Sequence, residues 1–328
     1  MRGRACAVLA IAAVLASVVL AACGTTTKKK STSSGNSGST CSTTGGPAAA
    51  EPKPLSLSIS PVSSIVSQVP AKDKGKTLVV GSDASYAPNE FKPVGKETIV
   101  GMDVDLATAI GQTMGVKVKF VDTPFDSILT GLAAHKYDLG ISSFTDNKER
   151  EKAVDFVTYF KAGVSIMAPK CNPDKIKTQL DLCGKKVGAE NGTVELDTLN
   201  KADDGSGTPT LKARCTTAGK KAPEAHGYPN QTDVNQALAA GRIDAYLADT
   251  PVVDYQVKAT GGEFAKVGET TDVAPYGIAV PKDAGTLKDA VLAGLKSLIS
   301  SGDYTKVLAN WGVQSGGITD PVLNGATS

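Results

Sequence analysis

The chain has 328 residues, of which 35 are Lys or Arg and 33 are Asp or Glu, and 41% are hydrophobic. That length allows roughly two domains of about 150 residues, and the hydrophobic share excludes a wholly disordered chain. The near balance of charge leaves no basic excess for wrapping a nucleic acid, so none is expected as a partner.

Residues 1–22 read as a secretory leader, with Arg2 and Arg4 as its positive start. Cys6 to Ala22 is an unbroken run of small and apolar residues, short for a membrane span and suited to a signal peptide's apolar region. The leader holds no acid, so its removal leaves 35 − 2 = 33 basic residues against 33 acidic ones. The run ends in Leu20-Ala21-Ala22-Cys23-Gly24. This resembles the bacterial lipobox, in which the cysteine thiol is diacylated and the chain is cut just before it. The resemblance implies a lipid anchor at Cys23 on the outer face of the cell membrane; the alternative is an ordinary signal peptide with an incidental cysteine. No other stretch of the sequence approaches a membrane span.

From Gly24 to about Lys76, Ser, Thr, Gly, Pro and Lys dominate. Such a composition buries too little apolar surface to offset its ordering entropy, so residues 23–76 read as a flexible tether. Lys28, Lys29 and Lys30 either meet anionic headgroups or only solubilise the tether. Leu55 to Ser60 alternates as LSLSIS, the pattern of a short strand.

Folded sequence is expected from Thr77. Leu78-Val79-Val80 reads as a buried strand. Asp103 is expected to cap a helix running to Met114 and stopped by Gly115. Val116, Val118 and Phe120 alternate with lysines as a strand, Phe125 to Leu132 reads as a helix, and Tyr137 to Ser142 as a further strand. This β-α-β-α-β order favours a parallel sheet with helical crossovers. GLAAHKYDLGIS (Gly131 to Ser142) recurs in outline as ALAAGRIDAYLA (Ala237 to Ala248). The second copy has its own preceding strand, Lys186 to Ala189, and a helix start near Thr193. Two similar α/β lobes are therefore expected, each with its own sheet, facing one another across a cleft. Leu287, Val291, Leu295 and Leu298 share one helical face, and Asp303 is expected to cap a last helix towards Trp311.

Ligands of open parallel sheets sit beyond the carboxyl ends of the strands. There the first lobe offers Ser142-Ser143-Phe144-Thr145 and then Arg150, hydroxyls beside a planar guanidinium suited to a carboxylate. Catalytic signals are weak. His135 and His226, the only histidines, read as residues of a turn and a loop with no nucleophile motif beside them. Asp203 and Asp204 lack the spacing of a calcium loop. Once Cys6 and Cys23 are set aside, Cys41, Cys171, Cys183 and Cys215 allow three disulfide pairings. None of them has zinc-ligand spacing, and neither a metal nor a cofactor is expected.

Residues 77 to about 315 resemble the extracellular solute-binding proteins of family 3, the polar-amino-acid receptors of ABC importers. The motifs that carry this are SDASYAP (Ser82 to Pro88), VGMDVDLATAIG (Val100 to Gly111), KYDLGISSFTDNKER (Lys136 to Arg150), VDF (Val154 to Phe156), GKKVGAENGT (Gly184 to Thr193), AGRIDAYLADTPV (Ala240 to Val252) and PYGIAVPK (Pro275 to Lys282). The resemblance implies a two-lobed periplasmic-binding-protein-like α/β fold of type II. Lobe 1 is 77–162 with 275–328, lobe 2 is 163–274, and two hinge strands cross near 160–164 and 273–277. It implies a monomer that closes on one free amino acid and docks on permease subunits, and it points to a Gram-positive, actinobacterial source.

Matched position by position, the resemblance assigns Arg150 to the ligand α-carboxylate, with Thr145 and Ser143 assisting; Ser142, beside them past the strand, is also expected at the ligand. It assigns Asp249 to the α-ammonium, Tyr86 and Phe125 to the walls, and the Thr193 backbone to the carboxylate at a helix start. Asp83 would meet the ligand's side-chain end. Related sequences also imply a Cys183–Cys215 disulfide, with Cys41–Cys171 a second candidate pair. Glu190 stands where some glutamine receptors carry a lysine, and Val194 where many members carry a small or hydroxylated residue. Asp83 and Glu190 together lean towards a cationic side chain, with an amide second; otherwise Glu190 faces solvent or pairs with a lysine. The same pocket would also serve a lipoprotein that senses amino acids for a membrane receptor, and a few relatives of the fold are dehydratases of cyclohexadienyl acids. The expectation is a binding protein with no catalytic residue.

Overall fold

The computed structural model describes residues 46–326 apart from Ala49. The leader, the lipobox at Cys23, the lysines at 28–30 and Cys41 lie outside the described residues. In chain order the elements are α1 (Ser63–Val66), β1 (Thr77–Ser82), β2 (Ser85–Tyr86), β3 (Glu90–Phe91), α2 (Met102–Met114), β4 (Lys117–Asp122), α3 (Phe125–Ala133), β5 (Leu139–Gly140) and α4 (Lys148–Glu151). They continue with β6 (Val154–Pro169), β7 (Lys186–Glu190), α5 (Val194–Asn200), α6 (Leu211–Thr217), β8 (Glu224–Tyr228), α7 (Gln231–Ala239), β9 (Ala245–Asp249), α8 (Thr250–Ala259), β10 (Phe264–Pro281), α9 (Leu287–Ser301) and α10 (Asp303–Trp311).

The strand order is β4-β1-β5-β10-β6-β9-β7-β8. On one side β1 pairs in parallel with β4 and β5, and on the other β7 pairs in parallel with β8 and β9. The two halves therefore repeat one unit, as the sequence repeat implies. The matched aspartates show why the repeat reads so clearly. Asp138 accepts from Val79 N at 2.7 Å, and Asp244 accepts from Lys186 N at 2.8 Å. Each of these carboxylates ties the turn before its strand to the neighbouring strand.

The expectation of two separate sheets is corrected. β6 has 16 residues and β10 has 18, about 50 Å or more at 3.3 Å per residue. They pair antiparallel from Phe264–Pro169 to Pro281–Val154, so one ladder runs through both lobes, with irregular register between Val267 and Gly277 where the chain crosses. The first lobe's core gathers β1, α2, α9 and α10, and Leu287, Val291, Leu295 and Leu298 are all buried in it. Leu182, Val187, Leu211 and Leu247 anchor a core in the second lobe, with Cys215 beside them.

Several local expectations are also corrected. The packed chain starts well before Thr77. Leu55, Leu57 and Ile59 lie against the first lobe's core, and Ile65 and Val69 are buried in it. The LSLSIS alternation forms no strand; it presents every second residue to the core while side chains satisfy the backbone. Leu55 N donates to Asp105, Ile59 N donates to Gln112 Oε1, and Gln112 Nε2 donates to Leu57 O. Farther upstream, Gly46 N donates to Gly261 O, and Asn310 Nδ2 donates to Lys53 O. The segment is thus a strap touching both lobes.

Asp103 does not cap α2. The helix follows Gly101 (φ 140), where a Cβ would come within 2.0 Å of Asn89 O, and Asp103 is a fully buried residue of its first turn. Likewise Gly302 precedes α10, and Asp303 is its first residue. β5 spans only Leu139–Gly140 of the expected strand. His226 sits within β8, not in a loop, whereas His135 is an exposed turn residue with φ 54. Cys183 and Cys215 form a disulfide. Cys171 is also disulfide-bonded.

Candidate ligand-binding site

The carboxyl ends of the parallel strands from both halves meet at one small cavity between the lobes. Asp83 follows β1, Tyr86 ends β2, and Phe125 opens α3 after β4. Ser142, Ser143 and Thr145 follow β5, and Arg150 lies on α4. Glu190 ends β7, Thr193 precedes α5, and Asp249 ends β9. All ten line the cavity, with Glu90, Val194 and Glu195 added.

Arg150 is held from both lobes. Nη1 donates to Thr145 O and Nη2 to Gly192 O, each at 2.9 Å. Its guanidinium carbon lies 5.5 Å from the Phe125 ring and 5.6 Å from the Phe144 ring, and these two rings stack at 4.6 Å. The stacked pair fixes the head group over an apolar wall. Burial pushes the guanidinium's pKa down, and the carboxylates of Glu195, Asp197, Asp249 and Asp146 oppose that.

The lobes meet directly at three further places. Tyr86 Oη donates to Asp249 Oδ2 at 2.9 Å, and Gln231 N donates to Ser85 Oγ at 3.0 Å. At Gly192 (φ 78) an added Cβ would lie 2.8 Å from Asp126 Cβ. The cleft is closed, and a side chain at that glycine would hold it apart.

The acids are the second feature. Asp83, Glu90, Glu190, Glu195 and Asp249 line the cavity, and among the described residues Arg150 is the only cationic one that does. Asp83 and Glu190 come from opposite lobes and lie within hydrogen-bonding reach of one another. Burial and then the Asp83 charge push Glu190 well above the carboxylate range. Glu190 is 2% exposed and its Oε1 has no partner. It therefore neither faces solvent nor pairs with a lysine. Burial pushes Asp249 up to about 6, while the Tyr86 hydroxyl and Arg150 work against it.

Ser142 and Ser143 are engaged mainly with their own lobe. Ser142 Oγ accepts from Asp83 N at 2.9 Å and donates to Glu90 Oε1 at 3.1 Å. Ser143, held at φ 50, donates from Oγ to Glu90 Oε2 at 3.2 Å and accepts from Asn89 Nδ2 at 2.9 Å. Asp103 lies beneath, accepting from Ser143 N at 3.2 Å and from Tyr159 Oη at 2.8 Å. Thr193 caps α5, its Oγ1 accepting from Leu196 N at 3.2 Å. Sequence reasoning missed Glu90, Glu195 and the Asp103 support. Acids in a first helical turn are ordinary dipole partners, and nothing local marks those that face a cavity.

Residues 78–314 match the bacterial extracellular solute-binding proteins, family 3. The chain belongs to that family. It is 31% identical over 265 residues to the arginine-binding protein ArgT of Corynebacterium glutamicum, covering 80% of this chain and 84% of that one. It is 30% identical to the L-cystine-binding protein TcyJ of Escherichia coli, covering 73% of this chain and 84% of that one. Among solved structures, an ancestral arginine-binding protein bound to arginine is 35% identical with a TM-score of 0.63, covering 72% of this chain and 97% of that one. The family 3 relatives are named as binding proteins, not as enzymes. Among the described residues, no helix is long and apolar enough to cross a membrane, and no cluster of His, Cys, Asp and Glu could hold a metal.

Proposed function

We propose that the protein binds a cationic amino acid, arginine first and an amide second, and delivers it to the permease of an ABC importer. The observation that carries this reading is the Asp83–Glu190 pair. Two buried carboxyls from opposite lobes lie beside one another in a cavity whose described lining holds a single cationic residue, Arg150. A guanidinium entering between them satisfies both acids, which desolvation otherwise penalises. Arg150 then holds the ligand α-carboxylate and Asp249 the α-ammonium, with Phe125 and Tyr86 as walls. The names of the arginine-binding relatives support the same side-chain class. The protein acts as a monomeric receptor without catalysis, tethered through a diacylated Cys23 to the outer face of the cell membrane.

Thermal unfolding with each of the twenty amino acids tests the ligand. A ligand that binds only the folded state stabilises it by RT ln(1 + [L]/Kd), about 2.7 kcal/mol at a hundredfold excess over Kd. L-arginine is expected to give the largest shift. Tight binding of glutamate or aspartate overturns the charge argument. Cys23→Ala is expected to leave the precursor unprocessed at that site; normal processing with release into the medium removes the anchor from the reading.

A further inference from the structure

Glu195 has no part in the scheme above, yet it lines the cavity and is only 3% exposed. Its Oε1 has no hydrogen-bond partner. Its carboxyl is bonded by its own backbone N–H and by the Thr193 side chain; leaving the remaining oxygen unpaired and buried is costly, and the cavity it lines is where a partner can enter. The charged and titratable groups facing it are Arg150 of α4, Asp249 at the end of β9, Glu190 at the end of β7 and the Tyr86 hydroxyl of β2. Arg150 directs its Nη atoms to two carbonyls, and among the described residues it makes no ion pair with Glu195.

The charge balance then selects a protonation state. The backbone end of an amino acid brings one anion and one cation. Arg150 answers the anion and Asp249 the cation. An ionised Glu195 would be a surplus buried anion, whereas a protonated one leaves the subsite neutral and presents an O–H donor. Glu195 stands on the first turn after Gly192, whose carbonyl Arg150 grips. Glu195 is the carboxyl that acts most strongly on Arg150, and Asp249 acts on Glu195 in turn; the ligand carboxylate held by Arg150 is the acceptor that the charge balance favours.

We propose that Glu195 carries a proton and donates its carboxylic O–H to the ligand α-carboxylate beside Arg150. It is a third anchor of the backbone end, and its hold is lost when the proton leaves. This inference rests on reading the cleft as an amino-acid site and not on which side chain the cleft prefers. Burial and then the Asp249 charge hold Glu195 at about 8, consistent with a proton retained at neutral pH.

Calorimetry of the wild-type protein and Glu195→Gln with L-arginine, from pH 6.5 to 9, decides it. Wild-type affinity is expected to fall towards tenfold per pH unit in the alkaline range. The amide keeps an N–H donor and has no proton to lose, so Glu195→Gln should show a shallower slope whatever its absolute affinity. Titration of the ligand α-ammonium and of the Asp83–Glu190 pair is common to both proteins and cancels in their ratio. Heats measured at pH 8.5 in buffers of different ionisation enthalpy should show more protons taken up per ligand by the wild type. Parallel slopes with equal proton counts overturn the proposal. So does a wild type that tightens relative to Glu195→Gln as pH rises, which would place an ionised Glu195 on the ammonium. If L-arginine fails to bind and another amino acid binds, the side-chain reading fails alone, and the same comparison with that amino acid still decides Glu195.

Discussion

Tyr86 and Asp249 hold each other across the closed cleft by two hydrogen bonds. The tyrosine hydroxyl donates to Asp249 Oδ2 at 2.9 Å and accepts from Asp249 N at 3.1 Å. One partner comes from β2 in the first lobe and the other from the end of β9 in the second. Opening the lobes breaks this contact together with that of Arg150 to Gly192. The residues proposed to clamp the ligand are therefore the same ones that join the lobes.

Arg150→Ala and Asp249→Ala should each weaken binding of the cognate amino acid, whatever its side chain. Removing one member of a buried charge pair costs about 2–5 kcal/mol, which is roughly thirtyfold to several-thousandfold in Kd. Asp249→Ala should also abolish ligand-induced compaction. Calorimetry and small-angle scattering read the two effects; wild-type affinity in either variant breaks the clamp.

Glu90 and Asp103, both fully buried, lie together beneath Ser142 and Ser143. Burial raises both, Asp103 to about 6, and the charge of Asp103 raises Glu90 further. A carboxyl whose folded pKa lies above its unfolded value costs stability as pH rises from about 4 through the folded value, because the unfolded chain ionises first. Glu90→Gln can donate an N–H to Asp103 and has no carboxyl to ionise. Urea unfolding should show the variant gaining about 1–2 kcal/mol relative to wild type between pH 4 and 8. A difference that does not change with pH contradicts the raised pKa of Glu90.

Asp155 behaves in the opposite sense. Lys288 Nζ at 2.7 Å, Lys282 Nζ at 3.1 Å and Asn324 Nδ2 at 3.1 Å all donate to it. Burial alone would raise its pKa, but these bonds outweigh burial and hold it at about 2. A depressed acid contributes stability above its unfolded value near 4, and that contribution is lost as pH falls through about 2. Because both lysines are partly exposed, about 1–2 kcal/mol is expected at neutral pH. Asp155→Asn should lower stability by that much at pH 7 and by little at pH 2. Equal losses at the two pH values contradict the ion-pair account.

The Cys183–Cys215 bridge closes a loop with a sequence separation of 32. Loop-closure entropy gives such a bridge about 3–4 kcal/mol. Cys215 is also fully buried in the second lobe's core. The double variant Cys183→Ala/Cys215→Ala should lose at least that stability in denaturant unfolding. A loss under about 1 kcal/mol shows that the core alone holds α6 in place.

The two-lobe architecture and the neighbourhood of the cleft are legible in the sequence because their signals are local. Strand alternation, the helix stops at Gly115 and Gly302, and the repeated Asp138 and Asp244 turns each depend on a few consecutive residues. The loops just past those strands are named by topology, which points to Ser142, Ser143, Thr145 and Arg150; the other six residues gathered at the cavity are picked out by the family resemblance. What only the tertiary structure decided is which polar groups share an environment. Asp103 has the pattern of a helix cap, and Glu195 that of an ordinary first-turn acid. Packing removes both from water and brings them against Tyr159, Arg150 and Asp249, residues far away in the chain. Leu55, Leu57 and Ile59 sit in a segment with the composition of a tether, yet α2 and α10 offer it an apolar surface and the side chains of Asp105, Gln112 and Asn310. Periodicity follows from backbone geometry and can be read one window at a time. Desolvation and charge pairing act through space, and a carboxylate's role is set by neighbours that the linear order does not reveal.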